Sequence, residues 1–327
     1  MNRKVSVAPM MDCTDRHERY FLRLISKNVL LYTEMIVSEA IDRGDKKKLL
    51  SFNLEEKPVA LQIGGSSPSL LGNAAKLGED FGYDEINLNL GCPSKKVQKN
   101  KFGACLIKEP NLVIECLEKM TSSTKLPVTV KTRIGYDNVE TYDHLSNFIE
   151  KLKTTGVKTF IIHARKAMLG KFTPKQNLNI PPLKYEMVYK LKQDFKDLEI
   201  IINGGISTID QMKGHLKCVN GVMLGRAVYH SPYLLAEIEK EIFKNNDIPS
   251  RENVIESLIP YVKSEIKKGT RINQVMRHTL GLFHGQIGSS YWKRYLSENM
   301  CVREADVKKI DHIMDKIKTK RIEASVG

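Results

Sequence analysis

The chain has 327 residues, enough for one large α/β domain plus an appendage. Its 41% hydrophobic content excludes global disorder, and no apolar run approaches the ~18 residues of a membrane span. Lys and Arg outnumber Asp and Glu by 52 to 38, a net charge of +14 that favours a polyanionic partner such as nucleic acid over the alternative of a Lys-heavy background composition.

Short β-rich runs recur in order: Val5–Pro9, Val29–Thr33, Val59–Ile63, Glu85–Asn89, Val128–Thr132, Thr159–His163, Glu199–Asn203 and Gly221–Gly225. Segments with helical periodicity, such as Leu70–Glu79 and Leu145–Thr154, lie between them. Strands alternating with helices predict a parallel sheet, and eight such units predict an α/β fold of the (β/α)8 TIM-barrel type. A doubly wound sheet would want a Gly-rich fingerprint after the first strand, and Ala8-Pro9-Met10-Met11 is not one.

After Tyr229 no clear strand follows. Leu234–Phe243, Val254–Lys268, Ile272–Leu282 and Val307–Ile317 read as amphipathic helices. The expected organisation is a catalytic barrel over residues 1–239 and an all-helical domain over 240–327, which carries 17 Lys/Arg against 11 Asp/Glu. The N-terminus runs from basic residues into an apolar strand without a signal-peptide core. The six cysteines show no CxxC or metal-like spacing. A cytoplasmic monomer without a metal or a membrane association is the expectation.

Chemistry in such barrels sits where strands end. The strand ends here carry Gln62, Asn89 with Gly91-Cys92-Pro93, Lys131 and Arg133, His163, Asn203-Gly204-Gly205 and Gly225-Arg226. The glycines after the seventh and eighth strands suit a phosphate, because backbone N–H groups can approach it, and Arg226 adds a charged fork. Lys131 is a cation that would stabilise an anionic reduced flavin ring, and Gln62 can both donate to and accept from such a ring's edge. An ion-paired Lys and a hydrogen-bonded core His are the structural alternatives for Lys131 and His163. Cys92 sits between Gly and Pro at a loop tip, where it can be a proton donor, a nucleophile or a bystander. Cys105 reads as packing.

Several spaced segments resemble the tRNA-dihydrouridine synthases, and among them the bacterial A subfamily. They are Ala8-Pro9-Met10-Met11-Asp12 with Thr14-Asp15-Arg16-His17, Leu31-Tyr32-Thr33-Glu34-Met35, and Asn87-Leu88-Asn89-Leu90-Gly91-Cys92-Pro93-Ser94 with Gly103-Ala104-Cys105-Leu106. His163-Ala164-Arg165-Lys166-Ala167, Ile180-Pro181-Pro182-Leu183 and Arg277-His278 belong to the same pattern. The resemblance implies an FMN-holding barrel and a helical domain that helps bind tRNA. It implies NADPH-dependent reduction of the uridine C5–C6 double bond, at positions 20 and 20a of the D-loop. On this resemblance, Pro9, Met10, Met11, Gln62, Lys131 and His163 line or bind FMN. Asn203, Gly204, Gly205, Gly225 and Arg226 take its phosphate end. Cys92 protonates C5 after hydride reaches C6, and Asn89, Arg165 and Lys175 contact RNA.

Cys13 stands where the family usually has Trp, and Met168 and Leu178 stand where the subfamily often has Trp and Arg. These departures leave the choice of tRNA site less determined than the reaction. Tyr291-Trp292-Lys293-Arg294-Tyr295 interleaves aromatic and basic residues, so Lys293 and Arg294 are expected to face RNA, while helical spacing allows the aromatics to be core. The stretch Lys308–Arg321 reads as a solvated amphipathic helix. Two rivals stand beside this reading: a flavin barrel acting on free pyrimidines, and a non-catalytic RNA-binding protein.

Overall fold

The computed structural model describes residues 1–300, 310, 312–317 and 319. One unit comprises Met1–Asp12 and Val29–Gly225, and a second comprises Cys13–Asn28 and the residues from Arg226 onward.

In the first unit, β1 (Val5–Val7), β2 (Leu30–Tyr32), β3 (Val59–Gly64), β4 (Glu85–Leu90), β5 (Val128–Arg133), β6 (Thr159–His163), β7 (Glu199–Asn203) and β8 (Gly221–Leu224) pair in parallel. Each strand pairs with its successor, and β8 returns to β1 with Val5 opposite Val222, so the sheet closes into the expected TIM barrel. A two-residue strand, Ile36–Val37, adds to β3 alongside. The apolar runs marked these strands because both faces of a parallel barrel are covered. Inside, Ala8, Leu30, Tyr32, Ala60, Ile161, Ile201 and Met223 form one buried cluster, with Met10 packed against it. On the outside, the helix Pro68–Asp80 starts at Pro68, whose missing N–H costs nothing there, and buries Leu71, Ala74 and Ala75.

The second unit is helical. Its core gathers Phe21, Leu22, Leu235, Ile238, Leu258, Val262, Phe283 and Trp292. The helix Arg16–Ile25, absent from the sequence reading, is capped by Asp15, whose carboxylate accepts from the N–H of His17 and Glu18. The helices Leu234–Glu241 and Arg251–Lys267 lie where the pattern put them. The single helix expected over Ile272–Leu282 instead breaks into Ile272–Met276 and a tighter 3₁₀ turn, Arg277–Gly281. That tightening lets Arg277 and His278 both reach Asp15, and it lets Gly281 lie so close to the His230 carbonyl that a Cβ there would be 2.3 Å from the oxygen. Trp292 belongs to the core: it is fully buried, its indole N–H donates to the Thr279 carbonyl at 2.9 Å, and it meets Phe283 edge to face. The expected helices Val307–Ile317 and Lys308–Arg321 lie partly outside the described residues, as does Cys301.

Candidate active site

The C-terminal ends of the strands build the site. On β4 the side chains of Glu85, Asn87 and Asn89 alternate with Ile86, Leu88 and Leu90, and Gly91 and Cys92 follow directly. The Asn89 side-chain oxygen accepts from the backbone N–H of Gly91 at 3.0 Å and of Cys92 at 2.9 Å. Its amino group donates to the Gln62 oxygen at 2.7 Å, and the Gln62 amino group donates to Asn87 at 2.7 Å.

The Cys92 loop is pinned on its carbonyl side as well. Arg133 Nε donates to the Gly91 carbonyl at 2.8 Å, Ala104 N–H to the Cys92 carbonyl at 3.0 Å, and Gln98 to the Pro93 carbonyl at 2.7 Å. Gly103, at φ +73°, lets the chain turn back to make the second contact; a Cβ there would sit 2.7 Å from the Cys92 carbonyl. Three successive carbonyls are thus satisfied, and the half-buried thiol of Cys92 hangs from a fixed backbone. Cys105, as expected, is a packing residue: its thiol donates to the Phe102 carbonyl, and burial pushes its pKa up.

Lys131 lies opposite Asn89 across the β4–β5 pairing and donates to the Asn203 side chain at 3.1 Å. Asn203 in turn donates to the Met223 carbonyl at 2.8 Å. Burial lowers the Lys131 pKa to about 7, and Arg133 pushes in the same direction while Cys92 opposes. The ammonium is therefore held in a place that its own solvation does not favour, which is where an anionic group would be welcome. Arg133, lowered by burial to about 10, remains a cation at neutral pH. Its guanidinium also donates to the carbonyls of Lys166 and Asn177, so one side chain ties the loop after β4 to the segment after β6.

Gly204 and Gly205 follow β7 at φ +121° and +71°, and a Cβ on Gly204 would lie 2.7 Å from the His163 ring. His163 itself ends β6 opposite Asn203 and is buried. At Gly225 an added Cβ would reach Met10 Sδ at 3.4 Å. The donor set at this mouth combines Lys131, Arg133, side-chain amides and backbone N–H groups at glycines. It fits a planar group with an electron-rich edge and a phosphate.

The other sequence-derived residues follow strand ends or stand on helices. Pro9 is half-buried and Met11 is 55% exposed. Arg165 donates to the Pro181 carbonyl. Lys175 is exposed on the short helix Pro174–Asn179. Arg226 opens the helix Arg226–His230 in the second unit, where Lys293 and Arg294 also stand exposed on the helix Ser289–Asn299. Residues given no role from sequence include Glu85, Asn87 and Asn177. Asn177 is fully buried; its side chain accepts from Met168 N–H at 2.7 Å and donates to the Met168, Phe172 and Thr173 carbonyls, which fixes the loop after β6. One Asn in a polar loop gives no signal of that role. The alternation Glu85-x-Asn87-x-Asn89 inside a buried strand did carry one. Among the described residues, no group of three or more His, Cys, Asp or Glu could hold a metal ion, and no helix is long and apolar enough to cross a membrane.

Comparison with known proteins places this barrel. A solved 2-naphthoyl-CoA reductase complex superposes with a TM-score of 0.54 at 12% identity over 77% of this chain and 51% of that one, a likeness of fold alone. A Synechocystis protein named tRNA-dihydrouridine(20/20a) synthase is 51% identical over 302 residues, 92% of this chain and 90% of the relative. An Escherichia coli protein of the same name is 48% identical over 320 residues, covering 97% and 92%. The model of the family described as dihydrouridine synthase (Dus) matches residues 6–318, and with identities this high over nearly the whole length, the chain belongs to the dihydrouridine synthase family.

Proposed function

We propose that this protein reduces the C5–C6 double bond of uridines in tRNA to dihydrouridine, with FMN as resident cofactor and NADPH as reductant. The observation that carries the reading is the Cys92 loop, held at both N–H and C=O groups beside Gln62 and Lys131 at the barrel mouth. Positions 20 and 20a of the D-loop are the proposed targets, in keeping with the names of the relatives. A tRNA substrate makes the cytoplasm the place of action.

Gln62, Lys131 and His163 would hold the FMN ring, with Pro9, Met10 and Met11 lining it. Asn203, Gly204, Gly205, Gly225 and Arg226 would hold its phosphate end. When bound and reduced by NADPH, FMN supplies a hydride to C6 of uracil.

The other steps fall to side chains. Cys92 would hold a proton at Sγ and deliver it to C5 as hydride arrives at C6. Lys131 places positive charge where negative charge develops. A uridine inside folded RNA cannot reach a barrel mouth, so it must leave its stack. Asn89, Arg165 and Lys175 at the mouth, with Lys293 and Arg294 in a tRNA-binding helical domain over 240–327, are the proposed RNA contacts. The +14 charge supports such contacts.

The test incubates purified protein with unmodified tRNA, FMN and NADPH and maps dihydrouridine by mass spectrometry. Product at positions 20 and 20a that disappears in Cys92→Ala is expected. Strong turnover of free uridine would favour the free-pyrimidine rival, and a flavin-free protein that binds tRNA without product would favour the binding-protein rival.

A further inference from the structure

A line of buried polar groups crosses the barrel interior from its N-terminal end to the Cys92 loop. At the far end, Arg3 Nε donates to Glu85 Oε2 at 2.6 Å, and another guanidinium nitrogen of Arg3 donates to Glu199 at 2.9 Å. Burial alone would lower the Arg3 pKa, but the two carboxylates raise it on balance. Tyr32 and Thr129 each donate a hydroxyl proton to Glu85 Oε1 at 2.6 Å. From there the line continues: Asn87 Nδ2 donates to Thr129 Oγ1 at 2.8 Å, Gln62 Nε2 to Asn87 Oδ1, Asn89 Nδ2 to Gln62 Oε1, and the Gly91 and Cys92 N–H groups to Asn89 Oδ1. Glu85, Asn87 and Thr129 are fully buried, and Gln62 and Asn89 nearly so.

The sense of this line is fixed from both ends. Backbone N–H groups can only donate, so Asn89 must present its oxygen to them and its amino group to Gln62. Gln62 must then turn its oxygen to Asn89 and its amino group to Asn87, and Asn87 likewise turns its amino group to Thr129. The Thr129 proton is left to face Glu85, and a carboxylate can only accept. None of the three amides can flip without placing two donors or two acceptors face to face in a dry interior, where an unmade hydrogen bond is costly. Barrel interiors are ordinarily filled with Val, Ile and Leu, and apolar packing would hold the fold at least as well. The polar line therefore does something packing does not: it transmits a fixed orientation.

We propose that Glu85, Thr129 and Asn87 are positioning residues that act along this line through Gln62 and Asn89 to set where the Cys92 thiol sits. The inference rests on the reading of Cys92 as the proton donor.

Thr129 allows a clean contrast. Thr129→Val keeps the shape and removes the hydroxyl, whereas Thr129→Ser keeps the hydroxyl and removes a methyl. Two measurements are made: steady-state tRNA reduction by the FMN-loaded enzyme, resolved into kcat and KM, and the rate of iodoacetamide labelling at Cys92 in the flavin-free protein, read on the Cys92 peptide. Thr129→Val removes both the bond given to Glu85 and the one taken from Asn87, and is expected to lower kcat by about tenfold to thirtyfold, with KM for tRNA unchanged and Cys92 labelling several-fold faster. Thr129→Ser is expected to stay near wild type in both.

Tyr32→Phe is the control. It removes the other hydroxyl from the same Glu85 oxygen but lies off the line, so it should lower thermal stability and leave kcat and labelling as they are. Should Thr129→Val fold poorly, Thr129→Ala against Thr129→Ser makes the same comparison, since both lack the methyl and only the first lacks the hydroxyl. A serine variant slower than the valine variant, or equal loss in Thr129→Val and Tyr32→Phe, would overturn the proposal and leave a packing role. If Cys92→Ala keeps full activity, the proton-donor reading fails by itself, and the labelling rates still decide whether the line positions the thiol.

Discussion

Asn89 holds Cys92 by its backbone: the Asn89 oxygen accepts the Cys92 N–H at 2.9 Å while the same amide gives its amino group to Gln62 at 2.7 Å. A residue at which an RNA contact was expected is thereby also the joint between a cofactor-side amide and the thiol loop. Each bond of this kind contributes about 1 kcal/mol. Asn89→Ala removes two accepted bonds and one donated bond, a loss of ~2–3 kcal/mol in loop order. The expected outcome is a drop in kcat for tRNA reduction of roughly thirtyfold or more, since 1.4 kcal/mol is a factor of about ten. Asn89→Asp keeps the acceptor and loses the donor, so its rate should fall between. A wild-type rate in Asn89→Ala, measured in single turnover, would remove the loop from the mechanism.

The barrel was legible because eight short β-branched runs stand out from helical periodicity, and their observed limits differ by only a residue or two. The strand-end residues were legible because Lys, Gln, His and Cys have no packing reason to stand there. What escaped was of two kinds. The helix Arg16–Ile25 carries His, Glu and Arg on its buried positions, satisfied by bonds such as Arg19 to the Thr14 carbonyl, so charged residues stand where a buried face is expected to be apolar. The second kind is Arg133, whose role lies in backbone carbonyls of distant loops, and Asn177, which ties scattered carbonyls within its own loop. No local pattern encodes such partners.

Lys131 makes stability depend on pH with a definite sign. Its pKa is about 7 in the fold against about 10.5 when unperturbed, because burial disfavours the ammonium. Between these values the unfolded chain binds more protons than the native one, so this group's contribution to stability rises with pH across the window. Below about pH 7 the cost of burying the charge is fully present. In flavin-free protein, Lys131→Met should therefore stabilise most at pH 6, with the gain shrinking towards pH 10. Urea midpoints of both proteins across that range test this; a gap that does not change with pH would refute it.

The same residue predicts proton uptake on cofactor binding. An anionic partner at the Lys131 ammonium favours the charged form and raises its pKa. Adding FMN to flavin-free protein at pH 8 should draw a fraction of a proton from solution. Calorimetric titration in two buffers of different ionisation enthalpy would show it as a difference in apparent heat, and that difference should vanish in Lys131→Met. Equal heats in both buffers for the wild type would contradict the assignment.

Arg133 is a geometric clamp as much as a charge. It reaches the carbonyls of Gly91, Lys166 and Asn177 with a planar fork, which Lys cannot reproduce. Arg133→Lys keeps the charge and leaves at least one buried carbonyl without its donor, a cost of about 1–3 kcal/mol. Lower thermal stability and faster proteolysis of the 166–177 loop are expected. A melting temperature equal to wild type would show that the clamp is dispensable.

Lys293 and Arg294 offer the most direct test of the helical unit as an RNA binder. Both are exposed on the helix Ser289–Asn299, next to Trp292, which is wholly buried, so replacing them leaves the core intact. If each neutralises one phosphate, removing both lowers the counterions released on binding by about two, and the slope of log affinity against log salt becomes shallower by roughly 1.5. The Lys293→Ala/Arg294→Ala double variant should therefore bind tRNA more weakly at 50 mM salt and converge on wild type as salt rises. A reduction in affinity that is the same at every salt concentration would instead indicate a folding defect, and an unchanged slope would place the RNA contacts on other residues of the +14 surface.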